Sequence, residues 1–309
     1  MTSEPGNWQE KSLLRFRIIP PEEGQTLRAV IYRRLPGISA DDAASLVRAG
    51  GVYVNRLRVR MPSVRVAAGE RLTVYPNAAR IEPIRAEALR FIHRDANFVV
   101  LDKPAGVPVT ATRESALGTL SDALLNQLRS EGVVRPYVGV VHRLDQGASG
   151  LVLFTIRSIA NSSLHRQFVD HDIRRVYRLR CHGKVPQQIR CEAPLRKGAD
   201  GNVRVVPEGS RGAQTAVTLF RPISTFDGDG DSEPEHIVEA QLETGRTHQI
   251  RVHAAHLGFP LCGDRRYGRP SDSAGHSALR LHAWTLQFQH PQQADPLHFE
   301  SPLPAWAQA

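Results

Sequence analysis

The rhythm of apolar and polar positions changes several times along the chain, and each change marks an element. Leu27, Val30, Ile31 and Leu35 recur at helical spacing, and Pro36-Gly37 stops that helix. Ser39 and Asp42 resemble a capping box opening a second helix, which carries Ala43, Leu46 and Val47 and ends at Gly50-Gly51. The period then falls to two. Val52 and Val54 alternate with polar neighbours, Asn55-Arg56 turns the chain, and Leu57 and Val59 resume the alternation. Strand character continues from Arg65 to Tyr75, interrupted at Gly69-Glu70. Further on, the unbroken runs Phe98–Leu101 and Leu151–Phe154 predict buried strands, and residues 117–129 and 158–168 predict helices. Arg174–Cys181 alternates. Strands are expected at 214–221, 236–243 and 281–289, a helix at 247–257, and irregular chain from Pro291 onward.

Strands outnumber helices and come in runs, which predicts an α+β fold with a mixed, largely antiparallel sheet and flanking helices. A small α/β module at 24–76 precedes it. The expected layout is a tail at 1–23 with a short strand near Leu14–Ile19, the module, a linker at 77–90 and a catalytic domain at 91–309. No internal repeat is visible.

Composition narrows the possibilities. The 309 residues are 41% hydrophobic, enough for a sizeable core, yet no apolar run reaches the roughly 18 residues of a membrane span. The polar first ten residues lack the apolar stretch of a signal peptide. Cys181, Cys191 and Cys262 are odd in number and not in CxxC spacing, as expected of reduced thiols in a cytoplasm without a disulfide framework or zinc site. The net charge is +9 and the pI about 10.0. Without an amphipathic anchor, this points to nucleic acid as partner and away from membranes.

Within 24–76 there are nine arginines, including Arg28, Arg33, Arg34, Arg48, Arg56 and Arg58, no lysine, and three acids (Asp41, Asp42, Glu70): 9 − 3 = +6 in the module. Arginine suits bidentate phosphate contacts and stacking on bases. A merely solvated face would mix the signs more evenly.

The candidate chemistry centres on Val141-His142-Arg143-Leu144-Asp145-Gln146-Gly147-Ala148-Ser149-Gly150. Here one carboxylate, Asp145, sits in a turn among cations, immediately before a buried strand. Such an acid is either a turn residue bonding its own backbone or an ionised group at a cleft. Arg143 lies two residues before it, on the same side of an extended chain.

Four motifs in order resolve that ambiguity. HRLDxxxSGL at 142–151, TGRTHQIRVH at 244–253, PLxGDxxYG at 260–268 and LHAxxLxxxHP at 281–291 resemble those of the RluA-type RNA pseudouridine synthases, over about residues 90–304. The module at 24–76 resembles the S-four RNA-binding domain. The resemblance implies a pseudouridine synthase fold and an isomerase that cleaves the ribose C1′–uracil N1 bond and rejoins the base through C5. No metal or nucleotide cofactor is needed. It implies Asp145 as the essential carboxylate and Arg246 as the cation that keeps it ionised, a role the guanidinium fork suits. A cation at a helix start is electrostatically misplaced, which supports a special partner for Arg246. Tyr177 would stack on the base and help remove the C5 proton. Arg143 would fill the gap left by a flipped uridine or hold phosphate. His142 would support the turn or contact RNA, and Leu281 would wall the uracil pocket. Ala148 stands where the family usually has Thr.

Two apparent metal signals are set aside. His248, His253 and His256 have no acidic or Cys ligand at suitable spacing. Asp227–Asp231 opens like a calcium loop, but the sixth and twelfth positions are Ser232 and Val238; the stretch to Glu235 reads as a solvated acidic loop. The expected protein is a cytoplasmic monomer acting on RNA, large-subunit ribosomal RNA first and transfer RNA second. The alternatives are a non-catalytic RNA-binding or ribosome-assembly factor on a synthase scaffold and, more weakly, a nucleoside or glycoside hydrolase, which usually needs a second nearby carboxylate.

Overall fold

In the computed structural model, residues 12–185, 187–226, 234–274, 278–293 and 295–308 are described. The acidic stretch 227–233 lies outside them. The chain divides into two compact units, residues 1–88 with 110–127, and residues 89–109 with 128–309.

In the first unit, helices α1 (Leu27–Arg34) and α2 (Ala40–Arg48) pack on a four-stranded sheet of β1 (Leu14–Arg17), β2 (Val52–Val54), β3 (Leu57–Val59) and β4 (Arg71–Val74), in the order β1-β4-β2-β3. Thr26 caps α1 by accepting from the Ala29 amide, and Ser39 caps α2 by accepting from the Asp42 amide at 3.0 Å. The apolar stripes of both helices, Leu27, Val30, Ile31, Leu46 and Val47, are fully buried with Val52, Leu72 and Val74. Leu14–Arg17, expected within a tail, is an antiparallel partner of β4. Strand structure between Arg65 and Tyr75 is confined to Arg71–Val74, because Val66 and Glu70 serve the loop instead through amide and carboxylate bonds.

The second unit is built on β5 (Phe91–Arg94), β6 (Phe98–Lys103), β7 (Gly139–Val140), β8 (Ser149–Thr155), β9 (Arg174–His182), β10 (Ile189–Cys191), β13 (Thr218–Phe226), β14 (Glu235–Leu242), β15 (Leu281–Gln289) and β16 (Pro296–Glu300). The order is β10-β13-β14-β9-β15-β8-β6-β5, with β16 on β15 and β7 on β8. A two-stranded ribbon pairs β11 (Leu195–Lys197) with β12 (Val203–Val205). Among the described residues every pairing is antiparallel except β15 with β8. The fold is thus α+β with a large, mostly antiparallel sheet. Helix α3 (Leu120–Ser130) spans the boundary of the units, and α4 (Ser158–Val169) and α5 (Gln249–His256) belong to the second. The C-terminal stretch expected to be irregular contains β16, whose alternating burial matches an edge strand.

β8 reads as one apolar run because it is buried along almost its whole length. At its start Gly150 has φ +102, and a Cβ there would lie 2.2 Å from the Ala283 carbonyl oxygen. Only glycine permits this approach of β8 to β15. β9 and β15 run side by side and carry Tyr177 and Leu281 toward the turn that precedes β8. No described helix is long and apolar enough to cross a membrane.

Candidate active site

The Asp145 turn is fastened from three directions. The Ala148 amide donates to the Asp145 carbonyl at 3.1 Å, and the Gly106 amide donates to the Gln146 carbonyl at 2.9 Å. Lys103, whose side chain is buried, donates its ammonium to the carbonyls of Pro104, Val107 and Gln146 at 3.0, 2.7 and 3.1 Å. An ammonium has three N–H donors, and all three are used. Burial lowers the Lys103 pKa to about 8, against the opposing charges of Asp145 and Asp102. Behind the turn, His142 Nε2 accepts the Leu153 amide at 2.9 Å, and its ring stacks on Phe168. Burial, reinforced by Arg175, lowers the His142 pKa to about 3 and leaves it neutral. His142 therefore supports β8, and its acceptor nitrogen is occupied by backbone.

The cation at Asp145 is Arg251, not Arg246. Arg251 Nη1 donates to Asp145 Oδ2 at 2.8 Å, while Nε and Nη2 form a bidentate pair with Asp264, each at 2.7 Å. Arg246 is half-buried and its Nε donates to the Thr215 carbonyl at 2.9 Å. The reason is local. Arg246 precedes the helix, and its amide donates to the Gln249 side chain. His248 then takes a left-handed conformation (φ 55), α5 begins at Gln249, and Arg251 falls in its first turn. A cation there opposes the helix dipole, and the two carboxylates compensate it. Burial disfavours the Arg251 charge, but the hydrogen bonds and charges of Asp264 and Asp145 outweigh it and push its pKa up. Burial likewise opposes ionisation of Asp264. Arg251 and the amides of Arg266 and Tyr267 nonetheless hold it below the usual carboxylate range.

His248 is a further neighbour. Its Nδ1 lies 2.8 Å from the Tyr267 hydroxyl, and its Nε2 lies 3.8 Å from Asp145 Oδ1. The Tyr267 hydroxyl accepts the Val203 amide at 3.0 Å, leaving its proton free for Nδ1. That tautomer carries its proton on Nε2, facing Asp145. Burial lowers the His248 pKa, with Asp145 opposing. His253, by contrast, bridges Thr218 and the Ala193 carbonyl, each at 2.9 Å.

The other side of the site is apolar. Tyr177, Leu281 and Ala148 are buried in one cluster with Leu144 and Leu279 packed against it. Ala148 is 1% exposed, so a threonine hydroxyl there would be placed among hydrocarbon. Burial raises the Tyr177 pKa, Arg175 opposes it, and Asp145 adds to it, so the phenol is neutral. Arg143 is exposed at the lip. Arg175, two residues before Tyr177 on the same strand face, is buried with no carboxylate partner among the described residues; its Nε is unsatisfied, and its guanidinium sits 5.5 Å from the Phe168 ring centroid. The basic strand stands out in the sequence, but nothing in it distinguishes this arginine from its neighbours. Arg251, His248 and Asp264 likewise stand at or behind Asp145, a placement that residue type and spacing do not reveal, although all three lie inside the four motifs.

The sequence-expected arginines of the first unit have different situations. Arg34 is paired bidentately with buried Glu22 at 2.6 and 2.9 Å. Arg58 is engaged by the Tyr53 hydroxyl and the Thr112 and Arg113 carbonyls. Arg28, Arg33, Arg48 and Arg56 are exposed. Arg56 also lines a cavity of about 770 Å³ together with Arg15, Arg17, Arg71, Asn55 and Thr73.

Comparison with known proteins gives a match between residues 97–256 and the family described as RNA pseudouridylate synthase. A ribosomal large subunit pseudouridine synthase D of Neisseria meningitidis serogroup B is 32% identical over 299 residues, covering 91% of this chain and 76% of that protein. A Bacillus subtilis protein described as an uncharacterized RNA pseudouridine synthase is 34% identical over 265 residues, 84% of each chain. Among solved structures, human RNA pseudouridylate synthase domain containing 1 superposes with a TM-score of 0.57 at 25% identity, covering 72% of this chain and 86% of that one.

Proposed function

Because the chain belongs to the RNA pseudouridylate synthase family, we propose that it isomerises specific uridines of large-subunit ribosomal RNA through Asp145. The observation that carries the residue assignment is the Asp145–Arg251–Asp264 chain beside the apolar cluster of Tyr177 and Leu281. Arg251 supplies the counter-charge and fixes the direction of the carboxylate. Asp145 either attacks ribose C1′ as N1 departs, or takes the C2′ proton to leave a glycal. The freed uracil turns, and C5 bonds to C1′ as the Asp145–C1′ bond breaks or, in the glycal route, as Asp145 returns the proton to C2′; the C5 proton passes to solvent and N1 takes up a proton. Tyr177 and Leu281 offer the rotating base a stacking surface and an apolar wall. With its phenol neutral, Tyr177 acts as a platform and hydroxyl partner to the base at C5. Arg246 contributes from the loop surface, and Arg143 at the lip meets phosphate or the vacated stack.

The ribosomal target rests on the names of relatives such as the Neisseria protein. The first unit, S-four-like in sequence, is the RNA grip. Exposed Arg28, Arg33 and Arg48, with the Arg15, Arg17, Arg56 and Arg71 cavity, are its contacts to phosphate. The protein works in the cytoplasm as a monomer, with no cofactor in the reaction.

RNA labelled with tritium at uridine C5 tests the reading. Wild type releases tritium, and Asp145→Asn is expected to lose activity by several orders of magnitude, as when other covalent nucleophiles are removed. Equal release from both proteins would remove Asp145 from the chemistry. Pseudouridine mapping of ribosomal and transfer RNA, with and without the gene, decides the target.

A further inference from the structure

His182, Glu235 and Cys262 come from three separate stretches of chain and converge at the C-terminal end of β9. His182 closes β9, and Glu235 opens β14 directly opposite it in register. Cys262 lies beyond α5, where the backbone holds it in place. The His182 amide donates to the Pro260 carbonyl at 3.0 Å, and the Cys262 amide donates to the Arg180 carbonyl at 2.9 Å.

The donor atoms form a compact triangle. Cys262 Sγ is 3.4 Å from Glu235 Oε1 and 3.7 Å from His182 Nδ1, and Nδ1 is 3.7 Å from Oε1. A tetrahedral zinc ion bound to sulfur at about 2.3 Å, and to nitrogen and oxygen at about 2.0–2.1 Å, spaces such donors roughly 3.3–3.6 Å apart. The triangle is therefore one face of that tetrahedron to within a few tenths of an ångström. The remaining groups are arranged as supports. His182 Nε2 lies 3.3 Å from Asp272, and the second oxygen of Glu235 pairs with the Arg180 guanidinium. A carboxylate on the far nitrogen of a histidine orients it as a ligand. Cys262 is 7% exposed, which shields a thiolate bond from water.

We propose that His182, Glu235 and Cys262 bind a thiophilic divalent cation, zinc before others, with a fourth position open to water. The ion takes no part in the isomerisation. It clips the 260–264 segment, whose Gly263 amide already donates to Asp272 at 2.7 Å and whose Asp264 holds Arg251. In the ion-free state the thiol donates to Glu235. Burial and the Glu235 charge hold the Cys262 pKa above its usual range. Binding breaks the S–H bond, forms the sulfur–metal bond and releases the proton to solvent, so uptake strengthens as pH rises. The sequence has no CxxC spacing to announce such a site, because the ligands are separated by 53 and 27 positions (235 − 182, 262 − 235).

The experiment uses the reduced full-length chain and cobalt(II) as the probe. One equivalent is expected to give a thiolate-to-cobalt charge-transfer band and intense tetrahedral visible bands, both displaced by zinc. Cys262→Ser should abolish the charge-transfer band. Glu235→Gln, close in shape, should keep the fold by circular dichroism and weaken cobalt binding roughly tenfold or more. An octahedral spectrum in wild type, or a full-strength charge-transfer band surviving in Cys262→Ser, overturns the site, as does unchanged affinity in a folded Glu235→Gln. None of these readouts depends on uridine isomerisation, so this site and the assignment of Asp145 fail separately.

Discussion

Two groups of arginines, one in each unit, are used in opposite ways. In the second unit Arg251 is committed to two carboxylates, and Arg178 pairs with Glu239 at 2.9 Å beneath the Trp284 ring. In the first unit Arg15, Arg17, Arg56 and Arg71 line one cavity, with no carboxylate pairing with them among the described residues. Arg17 even stands opposite Arg71 in register, an arrangement of like charges that costs stability. The turn that offers Arg56 adds to that cost, since Asn55 and Arg56 both have positive φ (49° and 74°). That is the conformation of a type I′ turn, in which glycine is favoured at the second position. A charge already paired by protein defines a point in space. A charge left unpaired, at a price in stability, is available to a polyanion.

The comparison can be broken or sharpened by mutation, and the largest effect is expected where a pair is cut. Arg251→Ala leaves Asp145 and Asp264 without their counter-charge and should lower turnover about a thousandfold, the scale of a broken buried pair. Arg246→Ala, measured beside it in the tritium assay, should cost far less. The reverse ranking would restore Arg246 as the partner. Asp264→Asn keeps the shape but loosens Arg251, and should cost on the order of a hundredfold in kcat with little change in KM. Replacing Arg15, Arg17 and Arg71 together by Ala should raise KM for long RNA by roughly tenfold or more, with kcat unchanged. It should also make the salt dependence of binding shallower by about 0.9 for each phosphate no longer neutralised. A fall in kcat with unchanged salt dependence would end the distinction between the units.

Two smaller effects concern stability. Arg175→Met removes a buried unpaired cation and should raise the melting temperature while lowering activity, a result calorimetry and the tritium assay read independently. His142 has a folded pKa of about 3 against an ordinary value of 6.5. Between those values the unfolded chain binds the proton more readily, so stability is lost as pH falls from 6.5 toward 3. His142→Gln should flatten that part of the melting profile.

The elements legible from sequence are those whose residues answer to one neighbour. β15 lies at 281–289, where its pattern places it, and α4 follows its apolar spacing to within a residue. β16 is hidden because an edge strand buries only alternate residues and Pro296 obscures its start. Asp145 is legible through the four ordered motifs, since a single carboxylate among cations leaves a turn role equally open. Its partner is not, because TGRTHQIR offers two arginines and both rank equally by residue type. What separates them is the left-handed turn at His248, which begins α5 after Arg246 and aims Arg251 inward. The electrostatic misfit of a cation at a helix start is real, but it belongs to the arginine five positions later.

The position of β15 between β9 and β8 also bears on how the protein is made. Among the described residues β9 and β8 have no direct pairing, and the strand that joins them starts at Leu281. A chain leaving the ribosome has therefore finished the Asp145 turn and the Tyr177 strand well before the strand between them exists. The two halves of the site are brought into register only when residues 281–289 arrive, a long-range closure that is slow relative to local hairpins. Until then the apolar flanks of β8 and β9 stand open, and this is the interval in which a nascent chain of this enzyme is most exposed to aggregation.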